Sequence, residues 1–135
     1  IHNRILTVRS ELGKTPGHDR PVLYLIGGPA DGQAFLLKKD RIAMGREDPD
    51  HPFLNTEGAI VLPDDYQAVT RVAKPHAYLF RTITSWQIED NLSTGGTYLN
   101  SRRLEPLKGE GLADGDVIDL STGANAARFL FILNE

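Results

Sequence analysis

The sequence predicts an all-β fold, either a sandwich or a barrel. Three observations predict it. The chain is a succession of short apolar strings separated by Gly, Pro, Asp and Asn. The string at 86–90 has the period of a half-exposed antiparallel strand: Trp86 and Ile88 share one face, Gln87 and Glu89 the other. No segment carries the stripe of an amphipathic helix.

The strings are taken in order. Residues 21–26 read Pro-Val-Leu-Tyr-Leu-Ile, apolar on both faces as a central strand would be. A glycine-rich turn at 27–32 leads to a returning strand at 33–37, so the two are expected to form a hairpin. A third strand at 41–44 ends at Gly45-Arg46. A fourth at 59–62 is stopped by Pro63-Asp64-Asp65. Strands are further expected at 77–84, 86–90, 98–103, 116–120 and 128–133, with Trp86 and the run from Phe129 to Leu133 in the core. Residues 1–20 differ: Ile5, Leu6, Val8 and Leu12 are scattered among polar groups, and a charged, turn-rich stretch follows. They read as a flexible leader or linker.

At 135 residues the chain is expected to be one domain, and 40% hydrophobic content supplies one modest core. A net charge of -3 gives no bulk attraction to nucleic acid or to an anionic membrane. The absence of cysteine excludes a disulfide framework, thiolate metal sites and a cysteine nucleophile. No apolar run approaches the roughly 20 residues of a membrane helix, and no signal-peptide pattern is present. The chain starts at Ile1 and reads as a piece of a longer protein. The expected location is cytoplasmic, or on the cytoplasmic side of that larger protein.

Few residues suggest chemistry. Gly45-Arg46 puts a guanidinium on a loop, where it suits phosphate oxygens or pairs with Glu47, Asp48 and Asp50. Arg71 and Lys74 add two cations nearby. His76 has no metal-ligand spacing to His2, His18 or His51, and a lone histidine before an apolar strand reads as a hydrogen-bonded structural residue. Residues 93–97, Ser-Thr-Gly-Gly-Thr, form a tight turn. Asp114-Gly115-Asp116 is a turn into a strand, and Asp48-Pro49-Asp50-His51 belongs to a loop, 47–58, read as a solvated insertion. The glycine-rich 26–32 segment lacks the Gly-Lys-Ser/Thr ending of a nucleotide-binding loop. No nucleophile–base pair or carboxylate pair suggests an enzyme.

In their order and spacing, Gly45-Arg46, His76-Ala77, Trp86, Gly96-Thr97, Asn100, Leu112 and Asp114-Gly115-Asp116 resemble a forkhead-associated (FHA) domain, with the resemblance covering residues 21–135. The resemblance implies an antiparallel β-sandwich of the FHA/SMAD type, of about ten to eleven strands, with binding loops at one end. It implies a phosphothreonine-reading module and no enzyme. The partner is then a phosphothreonine-containing protein or peptide, with no cofactor, metal, nucleic acid, membrane or small-molecule substrate.

Arg46 takes the place of the family's phosphate-contacting arginine. The family's Ser-Arg pair fits in two registers: Thr70-Arg71 reading from the left, or Ala73-Lys74 reading back from His76-Ala77. Thr70 supplies a hydroxyl and Ala73 none. Ser93, Thr94 and Gly95 form the second binding loop, and Asn100 is expected to stabilise it and line the site. Gly45, His76 and Gly96 are expected to support the loops.

The main departure is Gly95, which stands where the family has an asparagine that grips the peptide backbone. Ser93, Thr94 or backbone groups are left to substitute. The alternative is a degenerate FHA-like scaffold that binds proteins without phosphate. Asp48, Asp50 and Glu57 add the expectation that basic residues flank the phosphothreonine.

Overall fold

The computed structural model describes residues 20–56 and 58–133. Among these residues eleven strands form two sheets. β1 (Val22–Ile26), β2 (Ala34–Leu36), β7 (Thr97–Leu99), β8 (Arg102–Arg103), β10 (Val117–Leu120) and β11 (Ala127–Ile132) make the first, in the order β2-β1-β11-β10-β7-β8. β3 (Arg41–Arg46), β4 (Ile60–Leu62), β5 (Ala77–Arg81), β6 (Trp86–Asp90) and β9 (Glu110–Gly111) make the second, in the order β4-β3-β5-β6-β9. The leader expected at 1–20 lies outside the described residues except for Arg20, which belongs to the fold: its guanidinium donates to the Leu37 carbonyl at 3.1 Å.

The core lies between the sheets. Leu23, Leu25, Ile118, Leu120, Phe129 and Phe131 of the first sheet meet Ile42, Met44, Leu62, Leu79, Trp86 and Ile88 of the second. β1 and β11 are neighbours inside the first sheet, and each carries apolar residues on both faces. On the outer face Leu130 and Ile132 pack with Tyr24, Ile26 and Val117. Leu133, expected in this run, has 38% of its surface exposed, because β11 ends at Ile132.

The sandwich is not wholly antiparallel. β4 runs parallel to β3, with Arg46 opposite Leu62, because the chain crosses back through 47–59 before pairing. The strand expected at 77–84 ends at Arg81. There Thr82 and Ser85 close a turn, the Ser85 N–H donating to the Thr82 hydroxyl at 3.0 Å. The strand expected at 98–103 is a hairpin. Asn100 (φ 50°) and Ser101 (φ 72°) both occupy the left-handed region, the geometry of a two-residue turn between β7 and β8.

The 47–58 loop is exposed at residues 47, 49–53 and 58, as expected of a solvated insertion, but two features set it apart. It carries a short 3-10 helix, Pro52–Thr56, and its Asp48 is buried. The Asp48 carboxylate accepts the Asp50 N–H at 3.0 Å and lies 3.3 Å from His51 Nδ1. Asp48 is thus spent on the loop itself, and Glu57 lies outside the described residues.

Candidate functional site: a two-arginine anion seat

β3 ends at Arg46, β5 begins at Ala77, β6 ends at Asp90 and β7 begins at Thr97. The pairings place these four points at one end of the sandwich. The connecting segments 63–76 and 91–96 therefore share that end.

Gly45 is what lets the first segment approach. A Cβ at Gly45 would lie 2.8 Å from both the Cα and the N of Val72, and 2.9 Å from the Thr70 carbonyl oxygen. With only hydrogen there, 70–72 docks on the end of β3. The Arg46 N–H donates to the Thr70 carbonyl and the Val72 N–H to the Arg46 carbonyl, both at 2.8 Å. This pairing puts Thr70 and Arg71 beside Arg46. Ala73 and Lys74 lie on the following turn, both exposed, where the Lys74 N–H donates to the Arg71 carbonyl at 3.0 Å. Of the two registers, the Thr70-Arg71 pair is the one brought to Arg46.

The two guanidiniums converge on one oxygen. Arg46 NH1 lies 2.6 Å from Asp64 Oδ1 and Arg71 NH2 lies 3.5 Å from the same atom. Each guanidinium is also tied to a fixed carbonyl: Arg46 Nε–H donates to Val69 at 3.1 Å, and Arg71 NH1 donates to Glu47 at 2.7 Å. The arginines are therefore aimed by the backbone, with spare donors pointing at a shared seat. The Arg46 side chain is mostly covered, whereas Asp64 is 52% exposed. The sequence offered Glu47, Asp48 and Asp50 as partners for Arg46; the structure uses Asp64 instead.

His76 is fully buried and joins the two loops. Its Nδ1 accepts the Thr70 N–H at 3.2 Å, and its Nε2 lies 2.7 Å from the Gly96 carbonyl, to which it donates. The two bonds require the neutral ring with its proton on Nε2. Burial lowers its pKa from the usual imidazole value. The Gly96 carbonyl and the more distant Asp90 charge act in the other direction but are the smaller influences.

Asp90 does for the second loop what His76 does for the first. It is buried at the end of β6, on the Trp86 and Ile88 face. Its carboxylate accepts the Thr97 hydroxyl at 2.6 Å, the Ser93 N–H at 3.2 Å and the Ser93 hydroxyl. The period-two pattern of β6 could have found it, since a carboxylate on a core face must be satisfied locally. Ser93 is thereby turned inward, while Thr94 is exposed.

At Gly95 a side chain would run into Ser121. Its Cβ would lie 2.1 Å from the Ser121 hydroxyl oxygen and 2.7 Å from the Ser121 Cβ. Asn100 is not brought to this end. It sits at the other end of β7, where its amide donates to Asp116 at 3.0 Å and its oxygen accepts the Val117 N–H at 2.9 Å. A recess of about 660 Å³ at the loop end is lined by Gly28, Tyr66, Ser121 and Arg128 among others, but not by Arg46 or Arg71. The Arg46–Arg71 pair lies outside this recess, at the surface, as a candidate anion seat.

A family model for the FHA domain matches residues 42–121, more than half of the chain. The chain belongs to the FHA domain family. Members of this family are interaction modules rather than enzymes, and they bind phosphothreonine peptides. No curated protein matches the chain.

Solved FHA structures match its fold. The FHA domain of an Arabidopsis thaliana hypothetical protein is 26% identical, with a TM-score of 0.67 over 87% of each chain. The FHA domain of the CT664 protein from Chlamydia trachomatis is 24% identical, with a TM-score of 0.61 over 84% of this chain and 96% of that one. The N-terminal FHA domain of Rad53p from S. cerevisiae, solved with a phosphothreonine peptide, is 17% identical, with a TM-score of 0.65 over 85% of this chain and 94% of that one. In this FHA domain the matched segment contains Arg46, Asp64 and Arg71.

Proposed function

We infer that this FHA domain docks a phosphothreonine-bearing protein at the Arg46–Arg71 seat and catalyses nothing. The observation that carries the reading is that two backbone-anchored guanidiniums already meet at one anionic oxygen, Asp64 Oδ1. A phosphate in that seat brings a charge of roughly -1.5 to -2 and three acceptor oxygens, enough for several charge-assisted bonds. Thr70 stands beside Arg46 with its N–H already committed to His76, which leaves its hydroxyl as a further donor. Such a module works where protein kinases act, in the cytoplasm or on the cytoplasmic side of a larger protein.

A second reading has one specific observation in its favour. With Ser121 filling the space at Gly95, no side-chain amide can grip the peptide backbone there. A scaffold that binds proteins without phosphate accommodates that. Titration with matched phosphothreonine and unphosphorylated peptide pools separates the two. Preference for the phosphorylated pool that disappears in Arg46→Ala supports the reader; equal binding of both pools supports the scaffold.

A further inference from the structure

Asp64 occupies the place where a ligand's phosphate would be met, and that gives it a role of its own. We propose that Asp64 is a specificity-determining residue, a tethered carboxylate that bars carboxylate ligands from the seat and yields it to phosphate. The inference rests on the functional reading given above.

The geometry has three parts. Arg46 and Arg71 both reach Asp64 Oδ1, at 2.6 and 3.5 Å, so two positive charges and one negative leave a net single positive charge. Both guanidiniums keep their aim without Asp64, because Val69 and Glu47 carbonyls hold them at 3.1 and 2.7 Å. Asp64 itself is half in solvent, so its side chain can leave without unpacking anything. Its main-chain carbonyl stays held by the Gln67 amide.

The competition follows from charge and tethering. An incoming glutamate or other carboxylate offers the arginines the same group that Asp64 already offers, but without being attached to the domain. The tethered group wins on effective concentration. A phosphate monoester offers more charge and an additional oxygen, so it displaces the carboxylate and meets both arginines at once. Asp64 thus lowers affinity for every anion and lowers it most for singly charged ones.

The test follows the Arg46 Nε–H resonance by NMR while inorganic phosphate or acetate is added at about pH 8, where phosphate is mostly dianionic. Native protein, Asp64→Asn, Asp64→Ala and the control Asp65→Asn are compared. The control removes a neighbouring charge but not the seated one. Phosphate is expected to saturate both Asp64 variants at about fivefold lower concentration than the native protein. Acetate is expected to shift the resonance in those variants only, with Asp65→Asn behaving as native. Equal phosphate saturation in native and Asp64 variants overturns the inference alone, as does acetate binding to the native protein as readily as to the variants. No phosphate response in any of the four overturns the functional reading as well.

Discussion

Gly45 and Val72 are in such close contact that a Cβ on the glycine would lie 2.8 Å from the Cα of Val72. The neighbouring atoms are backbone, so no side-chain rotation relieves the contact. Gly45→Ala must push the 70–72 segment off β3 and break the paired bonds between Arg46 and Thr70–Val72. The expected cost is about 1–3 kcal/mol, read as a lower urea midpoint, together with weaker anion binding as Thr70 and Arg71 move away.

His76 makes the stability pH-dependent. Its folded pKa is lowered, so below the ordinary value of 6.5 the unfolded chain binds a proton that the folded one resists. Stability is therefore whole above that value and falls as pH drops from 6.5 toward the lower folded pKa. Denaturation midpoints at steps across this window should decline with acidity. His76→Gln, which keeps a polar side chain but cannot titrate there, should flatten the decline.

Asp90 holds the second loop through Ser93 and Thr97. Asp90→Ala leaves a buried Thr97 hydroxyl without its acceptor and should cost about 2–3 kcal/mol by chemical denaturation. Amide exchange should accelerate in residues 91–97 before it does in β1 or β11.

Gly95 and Ser121 are coupled. Gly95→Asn alone should destabilise the domain by about 1–3 kcal/mol, because the new Cβ meets the Ser121 side chain. Ser121 itself has φ 72°, a conformation glycine adopts without strain. Ser121→Gly should therefore be tolerated and should recover most of the loss in the double variant. A double-mutant cycle showing additive effects would count against this coupling.

Much of the fold was legible because its signals are local. Gly-Gly turns, the alternation of Trp86 to Asp90 and Pro63 each mark a boundary within a few residues. The parallel β4 was not legible, since nothing in Ile60–Leu62 says which side of β3 it joins. Nor did Asn100-Ser101 stand out as a turn, because neither residue is glycine. At the site, Arg46 was visible as a guanidinium after a glycine, but its partner was not. Asp64 reaches it only because β4 returns alongside β3. The choice between Thr70-Arg71 and Ala73-Lys74 likewise needed the main-chain bonds that join Arg46 to Thr70 and Val72. Asn100 showed the opposite failure: close to the binding loop in sequence, it is carried to the far end of the sandwich by β7.

The most direct measurement is a fluorescence titration of the native domain and Arg46→Ala with an oriented phosphothreonine peptide pool and its unphosphorylated counterpart. Arg46 is held by side-chain contacts to Val69 and Asp64 at the loop end, so the variant should fold, which a native-like spectrum would establish. The expected result is binding of the phosphorylated pool by the native domain only, with Arg46→Ala reduced to the level of the unphosphorylated control. Equal binding of the two pools by the native domain, or undiminished phosphopeptide binding by a folded Arg46→Ala, would contradict the role given to the two-arginine seat.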